Sequence, residues 1–149
     1  MSLGRWLARH LPAGAIVSVE GTLGAGKSLL VRGIAEGLGV AAGEVTSPTF
    51  TLWQTYEGSR TLHHLDAYRL NSTAEFWDLG AEELFAQDGL ILIEWGDKIR
   101  DALPPDHFSL VVDIVDHHTR RLICSGEAAN LEPLLAATPW SATEEPERD

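Results

Sequence analysis

A chain of 149 residues is long enough to bury one core and too short for two, and its single cysteine, Cys124, excludes an intramolecular disulfide and points to a reducing compartment. The formal net charge of −11, with Lys27 and Lys98 as the only lysines, argues against a surface that grips DNA or RNA by itself, because that affinity comes from lysine and arginine neutralising phosphates; solubility is the simplest meaning of the acidity. No charged-then-apolar leader opens the sequence and no apolar run nears the ~20 residues that span a bilayer, so the expectation is a cytoplasmic protein without membrane contact.

Leu3, Leu7 and Leu11 stand one turn apart and predict an amphipathic helix from Leu3 to His10, broken by Pro12-Ala13-Gly14. Ala15 to Val19 is β-branched and almost continuously apolar, as a central parallel strand covered on both faces requires. Leu30, Val31, Ile34, Ala35 and Leu38 form one helical face, with Gly39 placed to end it. Gly33 and Gly37 each cost a helix roughly 1 kcal/mol against alanine, so close packing against a sheet is the expected compensation.

Phe50 to Tyr56 and Thr61 to Tyr68 read as two strands around Glu57-Gly58-Ser59-Arg60. Thr73 to Phe85 has helical tendency, with Ser72 or Thr73 as N-cap. Leu90-Ile91-Leu92-Ile93 is a second strand buried on both faces, closed by Glu94-Trp95-Gly96-Asp97. Phe108 to Val115 and Arg120 to Cys124 predict a terminal hairpin, and Ala128 to Ala137 a last helix. The acidic remainder lacks apolar periodicity, so the expected organisation is one domain over 1–138 and a disordered tail over 139–149.

Between the first strand and the second helix lies Gly21-Thr22-Leu23-Gly24-Ala25-Gly26-Lys27-Ser28, which matches G-x-x-x-x-G-K-[ST] in the strand-to-helix context that the motif demands. Glycines allow backbone angles that turn successive N–H groups inward as a nest for phosphate oxygens, and the helix that follows adds its positive end. Lys27 can reach the β- and γ-phosphates, and the Ser28 hydroxyl can serve Mg²⁺ as a hard oxygen ligand. Leu29 completes the nucleotide-binding stretch. The implied fold is a three-layer P-loop α/β domain with a mostly parallel sheet and a C-terminal β-hairpin.

A bound Mg²⁺ wants further oxygens, and Glu94, at the carboxyl end of the second buried strand, is placed to supply one; an edge charge reaching solvent gives the same pattern. Asp66 suits either positioning the attacking water or completing the metal shell, and equally a solvated charge at a strand end. His63 and His64 are adjacent on a strand and so point to opposite faces, which is no zinc signature. Ser47-Pro48-Thr49 is by spacing alone a loop.

Four ordered motifs, "GTLGAGKS" at Gly21 to Ser28, "SPTFTL" at Ser47 to Leu52, "HLDAYRL" at His64 to Leu70 and "LIEWGD" at Leu92 to Asp97, together resemble the TsaE (YjeE-like) family over about Leu3 to Leu135. That family is the small P-loop ATPase of the bacterial apparatus that makes threonylcarbamoyladenosine on tRNA. The resemblance implies ATP and Mg²⁺ as cofactors, slow hydrolysis by the isolated chain, and TsaB and TsaD proteins as partners whose complex is reset by ATP turnover, with tRNA reached only through them. It implies Lys27 and Ser28 as phosphate and magnesium residues, Asp66 and Glu94 as the acidic pair, Thr49 as a switch-like residue near the γ-phosphate and Trp95 close to the nucleotide. Thr22 stands where the family usually has Asp, and Ala67 where it has Leu. Relatives also carry residues before the position of Leu3, including a stretch near the adenine.

The same loop serves small-molecule kinases, which also need an arginine-bearing lid and an acceptor pocket for which this chain offers no obvious room. A GTPase would need Asn-Lys-x-Asp, and neither lysine follows an asparagine. A nonenzymatic nucleotide-binding module is the remaining alternative. Arg69 could stabilise transition-state charge or pair with a carboxylate, and pairing is the expectation.

Overall fold

The computed structural model describes residues 3–41, 43–45 and 52–139. The chain runs α1 (Leu3–His10), β1 (Ile16–Glu20), α2 (Lys27–Gly37), β2 (Trp53–Glu57), β3 (Thr61–Asp66), α3 (Thr73–Asp78), α4 (Ala81–Phe85), β4 (Leu90–Glu94), a 3₁₀ segment (Gly96–Ala102), β5 (Phe108–Ile114), β6 (Arg120–Ser125) and α5 (Ala128–Ala136). The strands form one six-stranded sheet in the order β2-β3-β4-β1-β5-β6. The four central strands are parallel, and the edges β2 and β6 pair antiparallel with β3 and β5. Among the described residues no helix is long and apolar enough to cross a membrane.

Alternation along the strands divides the core into two layers. Leu90 and Leu92 of β4, with Val17 and Val19 of β1, pack with Val31 and Ile34 of α2, Leu38 just after it and Leu7 of α1. Ile91 and Ile93 face the other way, against Phe76, Leu84 and Ile99. All five β4 residues are buried, which accounts for the unbroken apolar run, and each large aliphatic contributes roughly 1.5–3 kcal/mol by leaving water. The expected α/β architecture, with helices on both faces of a mostly parallel sheet and a C-terminal hairpin, is the one observed.

Three local expectations need correction. The helix anticipated from Thr73 to Phe85 is two, because Gly80 takes φ 92° and breaks it. Its start is as expected: the Ser72 hydroxyl accepts from the Glu75 N–H at 3.3 Å. Gly33 and Gly37 compensate their cost against α1, not against the sheet: a Cβ on Gly37 would lie 2.6 Å from the Ala8 Cβ, and one on Gly4 would lie 2.6 Å from the Gly33 carbonyl carbon. The helices cross at van der Waals contact of their backbones, which only glycine permits. The strand expected from Thr61 to Tyr68 ends at Asp66, and the 3₁₀ segment after β4 was not anticipated from the sequence. The expected tail, 139–149, lies outside the described residues except for Pro139.

Candidate functional site

The parallel register sets three strand ends side by side, since Val19 of β1 and Asp66 of β3 both align with Glu94 of β4. The Ala67 N–H donates to the Glu94 carbonyl at 2.9 Å and the Trp95 N–H to the Val19 carbonyl at 2.9 Å, which ties those ends together. Ligands of open α/β sheets bind outside the carboxyl ends of such strands. Here the glycine loop departs from β1 at that edge and α2 opens from it.

Gly21, Gly24 and Gly26 have φ of 141°, 81° and 107°, values that favour glycine, and Gly26 caps the start of α2. The loop is anchored on its outer side. A Cβ on Gly21 would lie 2.6 Å from the Val112 carbonyl oxygen of β5, and Arg120 of β6 donates from Nε to the Ala25 carbonyl at 3.1 Å. The side chains of Leu23 and Leu29 are exposed, so any part these two take in holding phosphate falls to their backbone.

Lys27 is buried, and its Nζ donates to the carbonyls of Gly21 at 2.7 Å and Thr22 at 2.9 Å while lying 4.1 Å from the centre of the Trp95 ring. Burial lowers its pKa, against the opposing charges of Glu94, Asp97 and Asp66. The ammonium is thus folded onto the loop it belongs to, among three carboxylates. Trp95 has φ 59°, the one left-handed non-glycine among the described residues, and its ring packs 5.0 Å from that of Tyr68. Such backbone strain gathers at functional sites. Lys98 donates to the Tyr68 carbonyl and stands over the Tyr68 ring.

Glu94 is 3% exposed and both its oxygens are engaged: the Ser28 hydroxyl donates to Oε1 at 3.1 Å, and His64 Nε2 lies 2.7 Å from Oε2. The edge-charge alternative for Glu94 is thereby removed. Asp66 is half-buried and accepts from the Tyr68 N–H at 2.9 Å. Burial raises its pKa and the Glu94 charge adds to the rise, while the Tyr68 N–H, His64 and Lys27 oppose it. Ser28 and Glu94 present hard oxygens to one another, and Asp66 is aligned beside them, a donor set that suits Mg²⁺ when phosphate oxygens complete it. Among the described residues no three His, Cys, Asp or Glu side chains form a metal cluster by themselves.

The structure therefore brings Lys27, Ser28, Asp66, Glu94 and Trp95 to one edge of the sheet. Thr49, with Ser47 and Pro48, lies outside the described residues. Arg69 is exposed and makes no ion pair among the described residues, so the expected carboxylate pairing is not found there. His63 and His64 do face opposite ways, His63 towards Thr55 and His64 towards Glu94. Sequence reasoning missed His64 as a partner of Glu94, although its place two residues before Asp66 on a strand puts it on the same face. Arg120 left no local signal, because its loop partner is distant in the chain.

A family model described as "Threonylcarbamoyl adenosine biosynthesis protein TsaE" matches residues 1–123. The chain belongs to the TsaE family. The tRNA threonylcarbamoyladenosine biosynthesis protein TsaE of Treponema pallidum is 46% identical over 103 residues, 67% of this chain and 76% of the relative. That of Bacillus subtilis is 38% identical over 112 residues, 74% of this chain and 69% of the relative. That of Rickettsia felis is 36% identical over 144 residues, covering 95% and 84%. The crystal structure of Bacillus subtilis YdiB superposes with a TM-score of 0.72 at 28% identity, covering 89% of this chain and 82% of that one. TsaE membership thus rests on the family model and the relatives, and the α/β fold is shared with a solved structure.

Proposed function

We propose that this TsaE-family protein is a Mg²⁺-dependent ATP-binding protein and slow ATPase of the cytoplasm, which supports threonylcarbamoyladenosine modification of tRNA by acting on a TsaB–TsaD-type complex. The observation that carries this reading is the convergence of the Lys27 ammonium, the Ser28 hydroxyl and the Glu94 carboxylate beside a glycine loop that opens α2. The relatives named for tRNA threonylcarbamoyladenosine biosynthesis supply the pathway. The net charge of −11 suits a protein that reaches tRNA only through its partners.

In this reading the loop from Gly21 to Ser28, continued by Leu29, cradles the phosphates with its backbone N–H groups. Lys27 exchanges the carbonyls of Gly21 and Thr22 for phosphate oxygens, a trade of neutral acceptors for anionic ones that favours the ligand. Ser28, Glu94 and Asp66 hold Mg²⁺, which when bound neutralises charge on the phosphate oxygens. Asp66, half-buried and aligned beside Glu94 on the neighbouring strand, orients the attacking water. Thr49 senses the γ-phosphate, and Trp95 lines the nucleotide. Residues 1–138 form the ATPase domain.

The test follows phosphate from γ-labelled ATP with and without the partner complex. Release to water, faster with partners and lost in Glu94→Gln, is the expected result. Stoichiometric transfer to a small acceptor would make the protein a kinase, and unchanged turnover in Glu94→Gln would remove the site.

A further inference from the structure

One buried titratable group at this edge has no part in the reading above. His64 sits on β3 two residues before Asp66, its side chain 2% exposed, with Nε2 at 2.7 Å from Glu94 Oε2. The other Glu94 oxygen takes the Ser28 hydroxyl at 3.1 Å. His64 Nδ1 is buried and has no hydrogen-bond partner among the described residues. In the tautomer with its proton on Nε2, the ring donates to Glu94 Oε2. Among the described residues the ring thus has one polar attachment, Glu94.

The two bonds to Glu94 differ in kind. Ser28 is a hydroxyl that rotates freely about one torsion, on the first turn of α2 beside the glycine loop. His64 is a rigid ring held in the core of the sheet, and with the Glu94 side chain only 4% exposed, solvent has little access to take its place. We infer that His64 is a positioning residue for the metal-binding carboxylate: it fixes the plane of Glu94 through Oε2, so that Oε1 stays aimed at the cation when Ser28 leaves Glu94 to take up the same ion. This inference rests on the proposal that Ser28 and Glu94 hold Mg²⁺. Partners of ligating carboxylates set ligand orientation, and their loss typically costs 10–100-fold in metal affinity.

The experiment measures Mn²⁺ binding by electron paramagnetic resonance on the intact protein saturated with ADP, in the wild type, His64→Leu, His64→Gln and Glu94→Gln. Metal-free ADP affinity and the thermal midpoint are recorded for each. His64→Leu is expected to weaken Mn²⁺ binding about 10–100-fold with metal-free ADP affinity unchanged, and His64→Gln, whose amide can still donate, to recover most of the loss. Wild-type Mn²⁺ affinity in His64→Leu overturns the inference, as does equal weakening in the Leu and Gln variants. If His64→Leu does not fold, His64→Gln against the shorter His64→Asn decides, and equal Mn²⁺ affinity in those two overturns it. Glu94→Gln separates the two layers of the argument. Unchanged Mn²⁺ affinity there overturns the reading of Glu94 as a ligand, whereas weakening there with His64→Leu unaffected overturns the role of His64 alone.

Discussion

Two glutamates end adjacent parallel strands of this sheet, Glu20 on β1 and Glu94 on β4, and both are buried. Their side chains leave opposite faces. Glu20 accepts from the hydroxyls of Ser18 at 2.9 Å and Ser109 at 3.0 Å, and Arg100 lies 3.4 Å away from the 3₁₀ segment. Glu94 looks towards α2 and holds Ser28 and His64. Burial and strand-end position are common to both, so neither feature makes a site. Glu20 is closed by neighbours that include its own cation, whereas Glu94 is joined to the first turn of the helix that leaves the glycine loop. Face and partners decide, and the loop turns to one face only.

Substitution separates the two most sharply. Glu94→Gln is expected to lower ATP hydrolysis about 100-fold or more while leaving the fold intact, because it removes charge from the proposed metal site. Glu20→Gln is expected to leave hydrolysis nearly unchanged and to cost about 1–3 kcal/mol of stability, read from chemical denaturation, since the buried Ser18 and part-buried Ser109 hydroxyls lose their charged acceptor. Arg100 is mostly exposed, so its ion pair adds little to that loss. Equal effects on turnover from the two variants would erase the distinction.

Asp66 gives a smaller and oppositely signed effect. Burial raises its pKa above 3.8 in the folded, ligand-free chain, so the ionised carboxylate is a cost to folding. That cost is absent well below pH 3.8, where folded and unfolded chains are both protonated, grows as pH rises from there through the folded pKa, and is complete above it. Asp66→Asn is therefore expected to raise the thermal midpoint of the nucleotide-free protein at pH 7 and to lose that gain in acid, while slowing hydrolysis. A midpoint unchanged or lowered at pH 7 would show that the carboxylate is not strained. The smallest effect expected is that of Arg120→Ala, which frees the Ala25 carbonyl from the hairpin and weakens nucleotide binding severalfold, about 1 kcal/mol by titration.

What sequence made legible was what neighbours in the chain decide. The apolar run Leu90 to Ile93 announced a strand covered on both faces, and "GTLGAGKS" announced a glycine-rich turn from strand to helix, because each is a local pattern. Lys27, Ser28, Asp66, Glu94 and Trp95 could be named in advance and do meet at one edge. What stayed hidden depends on distant partners. Gly33 gave no sign that it packs on Gly4, nor Arg120 that it braces Ala25, nor Glu20 that Ser109 and Arg100 close it. Gly80 was visible, yet helical tendency on both sides concealed that its left-handed backbone divides the segment. Thr49 lies outside the described residues and keeps only its motif.

Equilibrium titration of ATP into the wild type, with and without Mg²⁺, beside Lys27→Ala and Glu20→Gln, tests most directly whether the Glu94 face of the sheet binds nucleotide. Metal-dependent binding in the wild type and in Glu20→Gln, with binding lost in Lys27→Ala, is the predicted result. Undiminished ATP affinity in Lys27→Ala would contradict it.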